Sequence, residues 1–169
     1  VGLTSDPEQI KEAVEASREF FPKSGEMDGV VGLKLFAGKS VGDLSVVEFD
    51  KQRKVYETLV GEGYEGVLVV HCEKERFLRP DLWDPRRPWT HSEARPEVAE
   101  FDSVRDQITH CISTGYALKK GKGKIHIAHV SVPDSVTRIN HNQDLLDISC
   151  GVTPHHLLLN TDAMKGENG

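Results

Sequence analysis

At 169 residues the chain has the size of one ordinary domain and falls well short of the ~250 residues typical of a closed (β/α)₈ barrel. Its 21 Lys and Arg against 27 Asp and Glu give a net charge of −6, and the cations are scattered rather than striped, which speaks against a nucleic-acid or anionic-membrane partner. Apolar runs such as Val67 to Val70 are too short to span a bilayer, and three widely spaced cysteines, Cys72, Cys111 and Cys150, suit reduced thiols in a cytoplasmic protein better than a disulfide framework.

Asp6-Pro7 reads as an N-cap with proline at the first helical position. The following EQIKEAVEASREFF places Ile10, Ala13, Val14 and the span Ala16 to Phe20 on a helical stripe. Glycines at 25 and 29 interrupt it, and VVGLKLF reads as a strand rich in branched residues. From about Val46 a second helix carries Val47, Val55, Leu59 and Val60 and closes on glycine. GVLVVHC is a continuous apolar run of strand length, as expected where both faces of a sheet are covered. The proline-rich FLRPDLWDPRRPWTHSEARPE, with both tryptophans, suits a long ordered loop. A helix is expected from about Pro96 to Leu118, then the basic turn KKGKGK, the strand KIHIAHVSV and a shorter helix over Asp134 to Asn142. LDISCGVTPHHLLL begins as a strand and ends in an irregular segment. Helix and strand alternate throughout, the pattern of parallel βαβ units in a doubly wound sheet or a barrel. In both architectures ligands gather at the C-terminal ends of the strands.

Each strand ends on a reactive residue. Alternation groups Val30, Gly32 and Lys34 in the first, Val67, Val69 and His71 in the second, and Ile125, Ile127 and His129 in the third. Lys34, His71 and His129 are thus the polar ends of three apolar columns, and if these share an interior the three nitrogens converge at one rim. Two neutral imidazoles suit zinc and similar ions. A buried lysine loses its proton more readily, and the neutral amine can take up carbon dioxide as a carbamate, a carboxylate in shape and charge that could bridge two metals. Taken singly, a strand-end lysine more often meets a neighbouring carboxylate, and a buried histidine is more often a satisfied core residue. By the same alternation His126 points away from the interior toward a covering helix, and Cys72 points outward, which disfavours a nucleophilic pair with His71. Arg95, in HSEARPE, could clamp a substrate carboxylate or anchor its own loop. His155 and His156 follow Pro154 and face either the rim or solvent. FAGKS and KKGKGK lack the glycine spacing of a phosphate-binding loop.

At these residues the sequence resembles dihydroorotase, among the cyclic amidohydrolases of the amidohydrolase superfamily. GLKLF is similar to the family's strand with the carbamylated lysine, VVHCE to the strand ending in a metal-binding histidine, and HIAHVS to the next such strand. HSEARPEVAE resembles the family's loop-to-helix segment, and GVTPHHLLLN the stretch after the following strand. The resemblance covers nearly the whole chain in order. It implies a (β/α)₈ barrel, Lys34 as a carbamylated bridging ligand, and His71 and His129 on the second of two zinc ions; Arg95 and His155 stand beside these as candidate substrate contacts read from the residues themselves. The implied chemistry is reversible hydrolysis of a cyclic amide, interconverting dihydroorotate and carbamoyl aspartate in pyrimidine biosynthesis, with a metal-bound hydroxide attacking a polarised carbonyl.

The sequence departs from the family in two respects. No His-x-His pair precedes Lys34, and no aspartate-bearing final strand follows, so no residue here is assigned a catalytic role. The expectation is therefore one incomplete α/β domain over 1–169, roughly the third to seventh strands of a TIM-type barrel. Either the chain is a segment of a longer protein, or a second chain or copy completes the barrel, or the sheet stays open; the first is favoured. Hydrolysis of dihydroorotate by this chain alone is not expected. Hydantoinase- or allantoinase-type amidohydrolases, and a catalytically silent scaffold relative, are the alternatives.

Overall fold

The computed structural model describes residues 1–20, 29–39, 44–119 and 123–165. Helix α1 (Pro7–Glu19) opens as the sequence predicts: the Asp6 carboxylate accepts from Glu8 N at 3.1 Å, and proline occupies the first turn. Strand β1 (Leu33–Ala37), helix α2 (Phe49–Gly61) and strand β2 (Val67–Cys72) follow. The proline-rich segment forms two 3₁₀ turns and the short helix α3 (Thr90–Ala94), so it is ordered as expected. Then come α4 (Glu97–Thr114), β3 (Lys124–Ile127), α5 (Pro133–Asn140), β4 (Ile148–Cys150), α6 (Pro154–Leu158) and a closing 3₁₀ turn. The four strands form one parallel sheet in the order β1-β2-β3-β4, and a parallel bridge from Gly2 to Lys34 begins a fifth position on the β1 edge. An α/β sheet with helices on its outside, part of a TIM-type barrel, is the architecture observed. Half of the KKGKGK turn, at 120–122, and the glycine at 25 lie outside the described residues.

Register decides which side chains share a face. Lys34 pairs with Val69, Val69 with His126 and His126 with Ser149, while Phe36 pairs with His71. In a parallel sheet such rows point the same way. Leu33, Leu35, Leu68, Val70, Ile125, Ile127 and Ile148 occupy the other face and are buried against Ile10 and Val14 of α1, Val55 and Leu59 of α2, Val104 and Ile108 of α4 and Ile139 of α5. The side carrying Lys34, Phe36, Val67, Val69, His71 and His126 is only half-buried.

This register corrects one expectation from alternation. Ile125 and Ile127 belong to the helix-covered face and His126 to the open one, the reverse of the predicted grouping. The grouping rests on counting His129 as a strand residue, whereas β3 ends at Ile127 and His129 has φ +40°, so the period of two does not extend to it. Cys72 does point into the helical layer and is buried. Two smaller differences concern helices. Val60 is exposed while Gln52 and Tyr56 are buried instead, because Gln52, Gln107 and the Tyr56 hydroxyl form a chain of hydrogen bonds of 2.7 and 2.8 Å between α2 and α4. PHHLL is helical rather than irregular, as Pro154 at the first position supplies a helical φ at no cost.

Among the described residues no helix is long and apolar enough to cross a membrane.

Candidate metal centre

His71 stands at the C-terminal end of β2, pointing to the open face. The left-handed backbone at His129, a conformation that histidine tolerates better than most residues, turns its ring back over the strand ends. The two imidazoles meet there, with His71 Nδ1 3.2 Å from His129 Nε2. Their ring centroids are 5.0 Å apart and the planes are inclined by 60°. Burial, reinforced by His129, Lys34 and Arg95, pulls the His71 pKa down to about 4. At neutral pH His71 is therefore an uncharged nitrogen donor. Its Nε2 is buried and has no hydrogen-bond partner; the nearest carboxylate oxygen, Glu73 Oε2, is 3.8 Å away.

Lys34 lies on the same face, two residues before Phe36. Its Nζ sits 5.2 Å from the Phe36 ring centroid, and that ring lies 6.3 Å from the His71 ring. Burial lowers the pKa of the ammonium. No carboxylate ion pair with Lys34 is found among the described residues, so the commoner explanation of a strand-end lysine does not hold here.

Arg95 donates to Glu73, whose carboxylate is largely buried. The Arg95 guanidinium thus faces the carboxylate beside His71 and ties the end of α3 to the end of β2. His155 is exposed; its Nε2 lies 3.1 Å from Thr153 Oγ1, and its ring packs edge-on against His156 with centroids 4.3 Å apart. The structure thus brings His71 and His129 together with Lys34 nearby, and gives Arg95 and His155 other partners.

Glu73, Glu100, His126 and Ser149 are polar neighbours of this face that sequence reading misses or misplaces. His126 Nδ1 is 2.9 Å from Ser149 Oγ, and burial followed by the charge of Lys34 lowers its pKa. The signal for His126 was the register Lys34–Val69–His126, which becomes readable only once β2 and β3 are aligned. Glu73 sits two residues beyond His71, and only the loop geometry shows that it faces back.

An orphaned buried nitrogen, a second imidazole at hydrogen-bond distance and a partly desolvated amine suit a zinc-type ion as part of its donor set. Among the described residues no group of three or more His, Cys, Asp or Glu side chains is placed to hold a metal. A complete coordination sphere thus needs Lys34 as a carbamate, water or donors from elsewhere.

No family model matches the sequence. An allantoinase of Salmonella gallinarum (strain 287/91 / NCTC 13346) is 25% identical over 96% of this chain and 36% of its own length. A dihydroorotase of Methanothermobacter thermautotrophicus is 28% identical over 83% of this chain and 35% of its own length. The solved structure of a D-hydantoinase superposes with a TM-score of 0.71 at 15% identity, covering 96% of this chain and 33% of that one. The likeness is to cyclic amidohydrolases as a group. Dihydroorotase in particular is not singled out, since allantoinases match at comparable identity. The chain spans about a third of the length of these relatives, and the D-hydantoinase likeness bears on the fold.

Proposed function

We propose that this chain is the central part of a metal-dependent hydrolase that opens cyclic amides. One observation carries this reading. At the C-terminal rim of a parallel sheet, where barrels bind their ligands, the imidazoles of His71 and His129 meet at 3.2 Å and His71 leaves a buried nitrogen without a partner. His71 and His129 would be ligands of one ion. Lys34, whose lowered pKa favours the reactive amine, would join the site as a carbamate. Zinc held there would act as a Lewis acid and lower the pKa of bound water.

The chain's own residues prepare that site. The Glu73–Arg95 pair balances a carboxylate beside His71, so that His71 stays neutral and available as a donor. We assign Arg95 this holding role in place of a substrate clamp. His155, exposed at the first turn of α6, is the candidate for substrate contact. The remaining strands and donors would come from the rest of a single barrel domain, and this chain by itself would not turn over substrate, since no general base is assigned among its residues.

The substrate is left among dihydroorotate, allantoin and hydantoin, the rings processed by enzymes of this group. Assaying the intact protein against all three with added zinc decides it. Hydrolysis of one ring, lost in His71→Ala, supports the proposal. Full metal loading without hydrolysis of any of the three would instead favour a silent relative.

A further inference from the structure

His129 depends on an unusual backbone, and the segment after it is held from another element. Glu100, in the first turn of α4, uses both carboxylate oxygens. Its Oε2 accepts from Ser131 N at 2.9 Å and from the Ser131 hydroxyl at 2.7 Å, and its Oε1 accepts from Val132 N at 3.1 Å. On the other side of the same segment Val130 N donates to Gly151 O at 2.8 Å. The chain is thus gripped immediately after the left-handed residue, where the ring direction is set. The same turn of α4 also receives Lys74 N on Ala99 O at 2.9 Å, so one helix end anchors the loops that follow both His71 and His129.

We infer that Glu100 is a positioning residue: its grip on Ser131 and Val132 holds His129 in the left-handed conformation that lays its Nε2 against His71. The functional consequence rests on the reading of these histidines as metal ligands, but the contact that Glu100 controls exists without metal. A carboxylate bonded to consecutive backbone N–H groups offers acceptors that no neutral side chain of equal size reproduces. Glutamine retains one acceptor oxygen and replaces the other with a donor that faces an N–H group.

The test is Glu100→Gln in the intact protein, read by proton NMR on the metal-free form. The cross-peaks between the His71 and His129 rings should weaken severalfold, and the Ser131 and Val132 amides should exchange about tenfold faster or more. The buried Tyr56 and Tyr116 rings, 5.7 Å apart on the far side of the sheet, should keep their cross-peaks; a loss confined to the histidine pair separates positioning from general loosening. Zinc affinity should fall by about 10- to 100-fold, the range for partners that orient a ligand. Unchanged ring cross-peaks and amide exchange would overturn the inference. If zinc does not bind the parent protein, the ligand reading fails while the ring contact still decides the role of Glu100. Should Glu100→Gln not fold, Ser131→Ala removes only the hydroxyl donor and carries the same measurements, with a smaller effect expected.

Discussion

Acidification should unfold this chain partly through one histidine remote from the candidate site. His110 of α4 is fully buried, its ring between Phe49 and Tyr56 at centroid distances of 4.3 and 5.4 Å. Neither ring nitrogen has a hydrogen-bond partner. Burial pulls its pKa from 6.5 down to about 4; Asp106 and Asp50 oppose the shift, while Arg53 and Lys74 add to it. The folded state therefore favours the neutral ring, and the unfolded chain binds the proton first. Stability from this group is fully present above the unfolded pKa and is lost as pH falls from there toward the folded pKa. At about 1.36 kcal/mol per unit, the whole shift corresponds to about 3 kcal/mol, of which about 2 kcal/mol is lost by pH 5. His110→Phe keeps an aromatic ring in the stack and removes the titration. Urea unfolding at pH 8 and pH 5 should show the parent losing about 2 kcal/mol more than the variant over that interval. His71 titrates in both proteins and cancels in the comparison. Parallel losses in parent and variant would refute the assignment of this acid sensitivity to His110.

Other expectations follow from particular contacts. Tyr56→Phe leaves the buried Gln107 Oε1 without its 2.7 Å donor and should cost about 1–3 kcal/mol in denaturant unfolding. A Cβ at Gly38 would stand 1.9 Å from the Glu73 carbonyl oxygen, so Gly38→Ala must displace the loop after β2. It should lower both the unfolding midpoint and zinc affinity, whereas Gly61→Ala, in open space within α2, should lower neither. Among the thiols Cys72 and Cys111 are buried and Cys150 is partly exposed, and burial pushes the Cys111 pKa up to about 12. A thiol reagent at pH 8 should therefore modify Cys150 first, and the other two at the rate of unfolding.

The sheet and its helices were legible because their signals are local: the Asp6-Pro7 cap, the uniformly apolar GVLVVHC, and the helix–strand alternation. The parallel arrangement followed from that alternation. The site was legible in part. Lys34 and His71 lie on the open face because β1 and β2 keep their period of two through Lys34 and His71. His129 is different, since its ring reaches His71 through a left-handed residue beyond the strand, a property that no periodicity records. The same overextension of β3 sent His126 to the wrong side. Glu73 and Glu100 escaped notice because their roles lie in contacts across 22 and 31 residues, with Arg95 and Ser131. Such pairings are fixed by tertiary packing of α4 on the strand ends, and only the assembled sheet reveals them.

The pairing of His71 with His129 as metal donors is tested most directly by metal content. Intact protein, His71→Ala and His129→Ala would each be equilibrated with one equivalent of zinc, passed through a desalting column and analysed for bound metal. Retention by the parent together with loss from both variants, at unchanged secondary structure, is the predicted result. Equal zinc in all three proteins would contradict it.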